Sequence, residues 1–222
     1  MNILVIENST PSLSIALCKQ GKIFQENTAA SDASREIIPI TDKLLNKAGL
    51  DINEINAFSV GLGPGSFTGL RIACSTVKGF HAALKKPIIG LSSFIAVAQE
   101  ISCPGKKTVI ITDAKKTLIY GAVYTKTKNR IKARVKPKLM PLEEFLKKFT
   151  DKDCIFCGES LKFKEGIEKI HPDAHITEGL SYPTAANLVP KSEEEYANKN
   201  FIDVGALEPL YLHPETCQIR KR

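Results

Sequence analysis

Residues 61–71 read Gly-Leu-Gly-Pro-Gly-Ser-Phe-Thr-Gly-Leu-Arg, and they sit between two different periodicities. Before them, Ala57–Leu62 is a short apolar run, the pattern of a buried strand. After them, Gly69–Leu84 repeats its apolar residues at helical spacing. Strand, glycine-rich turn and helix form the repeating unit of an α/β protein. Glycine in such a turn permits left-handed angles or a close backbone approach. Ser66 or Thr68 can cap the helix, whose unpaired N–H groups attract anions. On that reading Gly63, Gly65, Ser66, Thr68, Gly69 and Arg71 lie beside an anion or nucleotide. The stretch lacks the Gly-Lys-Ser/Thr triplet of a Walker loop, and no acid follows about 20 residues on, as a dinucleotide fingerprint requires. The other reading is a structural turn that draws helix and sheet together.

Outward from this turn the first half alternates. Asn2–Glu7, Leu13–Cys18 and Lys22–Asn27 read as strands, the last two joined through Lys19-Gln20-Gly21. Ser34–Ala48 reads as a helix with Ile37, Ile38, Thr41, Leu44, Leu45 and Ala48 on one face and Gly49 as its stop. Pro87–Leu91 is a strand and Ser93–Ile101 a helix, so the order is β-β-β-α-β-α-β-α. Cys103-Pro104-Gly105 reads as a lobe boundary, dividing the chain into 1–103 and 104–222. Thr108–Asp113, Leu118–Thr125 and Arg130–Val135 then repeat the three-strand opening. Pro141–Phe149 reads as a helix, Asp153–Cys157 as a strand, and Thr184–Asn198 as a helix interrupted near Pro190. The second lobe looks like a shortened copy of the first by order of elements alone.

The chain has 222 residues, 43% hydrophobic and 25% charged, an ordinary globular composition. No apolar run reaches the ~18 residues of a membrane-spanning helix. Met1–Glu7 is too short for a signal-peptide core. The six cysteines are therefore expected as reduced thiols in the cytoplasm. Cys154-Ile-Phe-Cys157 has CxxC spacing but no second pair for zinc, and in a strand its thiols point to opposite faces. His171-Pro-Asp-Ala-His175 lacks the HExxH pattern, and Pro172 argues for a surface turn. No metal site is expected.

Net charge is +7, and it is unevenly placed. Residues 1–100 hold nine Lys/Arg against eight Asp/Glu, and the remainder twenty-two against sixteen. Lys126, Lys128, Arg130, Lys132, Arg134, Lys136 and Lys138 alternate along the chain. In one extended strand they would form a row of cations on one face. Such a row can contact RNA phosphates, with Lys126, Lys128, Arg130, Lys132 and Arg134 as the candidate residues. It can equally be a solvated edge strand whose lysines block unwanted pairing, and Asn129 is placed to split it.

The helix Gly69–Leu84 confines Arg71, Ser75 and Lys78 to a narrow sector. Its apolar stripe exceeds the ~100° that one sheet face covers, which predicts either a sandwiched helix or a partner chain on its outer face. Small residues Gly69, Ala73, Gly79 and Ala83 would let a partner helix approach closely.

GLGPGSFTGLRIA, the N-terminal hairpin, Thr112-Asp113-Ala114 and Pro209-Leu210-Tyr211-Leu212 together resemble the TsaB (YeaZ) family of bacterial tRNA threonylcarbamoyladenosine synthesis. The resemblance implies an α/β, actin-like (sugar kinase-like) two-lobed fold with mixed sheets and a reduced second lobe. It implies a non-catalytic subunit that pairs with the catalytic paralogue TsaD and the ATPase TsaE to modify the adenosine beside the anticodon of ANN-decoding tRNAs. It implies no cofactor held by this chain alone, with ATP and a divalent metal in the assembled complex; the lack of a long apolar run predicts no membrane, and the apolar helices of a chain alone should pair with themselves as a homodimer. The partner-facing residues it implies are Ile37, Ile38, Leu44 and Leu45 on one helix, and Leu70, Ala73, Cys74, Val77, Phe80, His81 and Leu84 on the next. Several positions depart from the family's usual pattern. Its Asp-Thr-Ser/Ala opening is Glu7-Asn8-Ser9, its His-Ser is Ala33-Ser34, its Asp-Ala-Arg is Asp113-Ala114-Lys115, and its Tyr-Leu-Arg is Tyr211-Leu212-His213. The alternatives are a small-molecule kinase of the actin-like fold and a metallopeptidase-like protein. A kinase is disfavoured because the hairpin Glu7–Ser12 has no glycine and Pro11 removes a donor.

Overall fold

The computed structural model describes residues 1–29, 33–115, 117–127, 130–151, 153–179 and 181–212. Two five-stranded sheets carry the same strand order. In the first, β1 (Asn2–Glu7), β2 (Ser12–Lys19) and β3 (Lys22–Ala29) form an antiparallel meander. β4 (Ala57–Gly61) and β5 (Ile88–Leu91) add in parallel beyond β1, giving β3-β2-β1-β4-β5. In the second, β6 (Lys107–Asp113), β7 (Leu118–Thr127) and β8 (Arg130–Pro141) repeat the meander. β9 (Cys154–Gly158) and the two-residue β10 (His175–Ile176) lie parallel beyond β6. This doubled topology is the actin-like architecture expected from the family resemblance. The second lobe is reduced in its last strand and in its helices, not in strand count.

α1 (Ala33–Ala48) and α2 (Phe67–Leu84) cover one face of the first sheet. Leu4, Ile6, Leu13, Ile15, Leu17 and Phe58 lie fully buried beneath them. Each contributes ~1.5–3 kcal/mol of burial, less the chain entropy lost. On the second sheet, α4 (Leu142–Phe149) and α5 (Lys164–Ile170) close a core around Phe145 and Phe156.

The remaining helices are exchanged. α3 (Phe94–Ile101) follows the first sheet but packs Phe94, Val97 and Ala98 with Ile110, Ala122 and Tyr124 of the second. α6 (Ala185–Ala197) follows the second sheet but seats Ala185, Leu188 and Val189 on Ile3, Val5 and Ala16 of the first. The expected division at 103/104 therefore separates the sheets but not the layers. Residues 184–212 belong with the first sheet, where the apolar positions of α6 meet Ile3, Val5 and Ala16. That packing also carries α6 unbroken through Pro190, where the sequence predicted an interruption. Ser192 Oγ donates to Ser59 Oγ (2.8 Å) across this interface.

Candidate functional site

The glycine turn meets the end of the first hairpin. Residues Glu7, Asn8 and Ser9 are buried, and the turn lies directly on them. A Cβ on Gly61 would come within 1.8 Å of Glu7 Oε2, one on Gly65 within 2.1 Å of Ser9 O, and one on Gly69 within 2.1 Å of Asn8 O. Three glycines at intervals of four residues thus remove three side chains from one contact. Ser66 N–H donates to Ser9 O (2.7 Å), and Asn8 Nδ2 donates to Gly69 O (3.0 Å). On the far side, Gly63 N–H donates to Ser93 Oγ (3.0 Å), while Gly63 O accepts from Ser93 N–H (2.9 Å) and Ser92 Oγ (3.1 Å). Ser66 caps α2 by accepting from Gly69 N–H (3.3 Å). Thr68 is exposed and makes no cap.

This geometry favours the structural reading of the turn over the anion reading. The Ser66 and Gly69 N–H groups are already given to the protein's own oxygens. Three buried atoms beside the turn have no partner among the described residues: the acceptors Glu7 Oε2 and Asn8 Oδ1, and the hydroxyl Ser9 Oγ. Asn8 Oδ1 and an ionised Glu7 carboxylate offer a phosphate no donor. Burial pushes the Glu7 carboxyl above the usual carboxylate range, opposed by the bond from Ser9 N–H to Oε1 (2.7 Å). Asp113, the acid of the second lobe, is exposed and accepts from Lys115 N–H of its own turn (2.7 Å).

Arg71 does not reach the turn. Its Nε donates to Tyr211 Oη (3.0 Å), and its guanidinium stacks 4.0 Å from the Phe67 ring. Tyr211 ends a C-terminal strap that crosses the β5 edge. Ile202 N–H donates to Ile88 O (2.9 Å), Leu207 is buried in the first core, and Leu210 N–H donates to Leu62 O (2.8 Å). The sequence offered a signal for this strap in apolar positions 202, 204, 207 and 210, but nothing in their spacing named the edge they cover.

The strap corrects the expectation of a broad uncovered stripe on α2. Leu70, Ala73, Cys74 and Val77 are buried within the chain, as are Ile37, Leu44 and Leu45 of α1. The sheet lies beneath α2 and α1 beside it, and the strap adds Leu207 to the same cluster, with Ile202 and Val204 against it. Phe80 stacks on Phe58 (5.0 Å) and, with Leu84, remains half-buried. His81 is also half-buried, its Nδ1 on Lys86 O (2.8 Å). Ile38 is 55% exposed, because Ile40 takes the inward position expected for it. Gly79, Ala82 and Ala83 complete the outer face of α2.

The basic row is divided between two strands. Lys126 lies on β7 and turns to the α3 side, its Nζ donating to Gln99 O (3.4 Å). Arg130, Lys132 and Arg134 lie exposed on β8, the edge of its sheet. Lys128 lies outside the described residues. Register shifts in the β7–β8 pair break the simple alternation. Cys154 and Cys157 point into different cores, as strand geometry predicted, and burial pushes their thiols up to about 11 and about 12. His171 bonds Thr150 Oγ1 through Nε2 (2.7 Å) at the end of α5, apart from His175 on β10.

Residues 24–207 match the family model described as "TsaD: tRNA N6-adenosine threonylcarbamoyltransferase". The chain belongs to this family. Within it, the chain is of the TsaB type: it is 27% identical over 228 residues to the tRNA threonylcarbamoyladenosine biosynthesis protein TsaB of Escherichia coli (strain K12), covering 96% of this chain and 94% of that protein. Identity to the TsaB of Bacillus subtilis (strain 168) is 27% over 220 residues, with the same two coverages, 96% and 94%. A solved structure described as YeaZ from Pseudomonas aeruginosa superposes with a TM-score of 0.83 at 23% identity, covering 95% of this chain and all of that one. That likeness supports the TsaB-type fold. Among the described residues, no helix of this TsaB-type chain is long and apolar enough to cross a membrane.

Proposed function

We propose that this chain works in tRNA threonylcarbamoyladenosine biosynthesis as a non-catalytic cytoplasmic subunit. It pairs with a TsaD-type catalytic paralogue and, through that pair, with a TsaE-type ATPase. Family membership and the TsaB relatives support the pathway. The observation that carries the non-catalytic reading is the seal over Glu7–Ser9. Where an actin-like kinase would hold phosphate in its first hairpin, this chain places its own glycine turn. The hairpin residues do not fit a nucleotide phosphate. ATP and a divalent metal belong, on this reading, to the assembled complex.

The docking face is the outer surface of α1 and α2. Exposed Ile38, exposed Gly79 and Ala83, and half-buried Phe80 and Leu84 form it. Small residues there let a second helix approach closely. Alone, the same face pairs with a second copy. Mixing the purified chain with the paralogue and sizing the mixture tests the reading: a co-eluting complex is expected, and separate elution across a range of salt would overturn it. Calorimetry with ATP and magnesium tests the kinase alternative. Micromolar binding by the isolated chain would restore that alternative.

A further inference from the structure

The outer face of the second sheet holds a groove that the reading above leaves unused. α4 and α5 cover that face as far as Val123 and Val135, and beyond them the strand ends stand open. The opening is a cavity of about 520 Å³ lined by Thr125 and Arg134, with Lys106, Lys107 and Phe149 also in its lining. Thr125 pairs with Lys132 and Thr127 with Arg130, so both cations stand on the same side of the sheet, next to the cavity lining and not in it. Arg134 Nε donates to Thr125 Oγ1 (3.1 Å), which holds the guanidinium over the strand pair. Lys107 is neutralised by Asp151. Among the described residues no carboxylate pairs with Lys106, Arg130, Lys132 or Arg134.

The geometry points to this groove as a binding site for the sugar-phosphate backbone of RNA. Arg130 and Lys132 lie two residues apart in a strand, ~6.6 Å. That is a regular row of positive charge, suited to a polymer with regular negative charge. Phe149 at the end of the groove is half-buried, with the ammonium groups of Lys138 and Lys148 at 5.8 and 5.6 Å from its ring. Cations along a backbone track with an aromatic ring at one end are the elements by which unpaired nucleotides are held. An acidic protein would need a broad apolar anchor as well, and the floor offers only Val123 and Val135 between polar side chains. RNA, as opposed to another polyanion, rests on the proposed role in tRNA modification.

The test uses the full-length chain and a labelled, unmodified transcript of an ANN-decoding tRNA, followed by fluorescence anisotropy over a salt series. The variant R130Q/K132Q/R134Q should lose at least tenfold in affinity at low salt. The slope of log affinity against log salt should flatten by ~2–3, at ~0.7–0.9 per lost phosphate contact. K162Q/K164Q/K169Q, outside the groove's lining, removes the same charge and should keep the slope. Equal loss in both variants, or none in the first, overturns the groove, as does poly-glutamate displacing tRNA as well as RNA itself does. If the first variant fails to fold, lysine acylation of the native chain decides: bound tRNA should protect Lys132, and unprotected Lys132 refutes the site. The two readings fail separately. A chain that binds tRNA through the row but never pairs with the paralogue sinks the proposed function alone. A complex that forms and ignores the substitutions sinks the groove alone.

Discussion

Two glycines in one helix should answer the same substitution with opposite signs. Gly69, in the first turn of α2, faces Asn8 O, and an added Cβ would stand 2.1 Å from that oxygen. Ordinary contact begins at 3.4 Å, so the helix and hairpin must part by the difference, 1.3 Å. A movement of that size takes the Asn8 Nδ2–Gly69 O bond (3.0 Å) and the Ser66 N–Ser9 O bond (2.7 Å) out of range. Asn8 and Ser9 are buried, so water cannot replace either partner. Two such losses cost ~1–3 kcal/mol each, against ~0.5–1 kcal/mol gained from alanine in a helix. Gly69→Ala should therefore destabilise by ~1–5 kcal/mol, lowering Tm by about 2–20 °C for a chain of this size. At Gly79, exposed and with nothing within 4 Å of the added atom, only the helical gain remains. Gly79→Ala should stabilise by ~0.5–1 kcal/mol. Urea unfolding of the two variants and the parent, fitted with a shared slope, measures both. If Gly69→Ala stays within about 0.5 kcal/mol of the parent, the turn is not packed on the hairpin and the seal argument is wrong.

Three further outcomes follow from the same contacts. Glu7 is uncharged more readily in the fold than in the unfolded chain, because burial raises its pKa. The folded state then holds the extra proton, so stability should fall as pH rises from the ordinary carboxylate pKa upward. Glu7→Gln should remove that decline and be the more stable protein at neutral pH; parallel pH profiles of the two in urea titrations would refute it. Leu207→Ala should cost ~2–4 kcal/mol, since the side chain is 1% exposed in the first core, and should expose the strap to protease. Cleavage unchanged after residue 200 would detach the strap from that core. Among the described cysteines, Cys103 is exposed while burial lifts Cys74 to about 11 and Cys157 to about 12. Alkylation at pH 8 followed by peptide mass analysis should label Cys103 well before either, and equal rates would contradict the packing.

Local order was legible because it is written in local periodicity. The strand at Asn2–Glu7 is one apolar run, and the helix ending at Ala48 has an inward face and a glycine stop. The hairpin start and the repeated element order foretold two similar lobes, and they form. The glycine turn was visible as a motif, but its two readings could not be separated along the chain. The deciding partners, Asn8 and Ser9, lie some sixty residues away.

The breadth of apolar residues on α2 misled for a related reason. Hydrophobic patterning reports that a face is covered, not which segment covers it. Strap residues 202–212 had no helical or strand period to announce them, and α3 and α6 carry apolar faces that suit either sheet. Sequence alone determined most of the elements, though not α5 or β10, together with the charge and the family likeness, since these depend on neighbours within a few positions. Tertiary structure decided that Val77 is enclosed while Ile38 is exposed, that the hairpin is sealed by backbone, and that the cations of β7 and β8 separate onto two faces. Each of those outcomes is set by contacts between residues distant in the chain, where shape and register, not composition, select the partner.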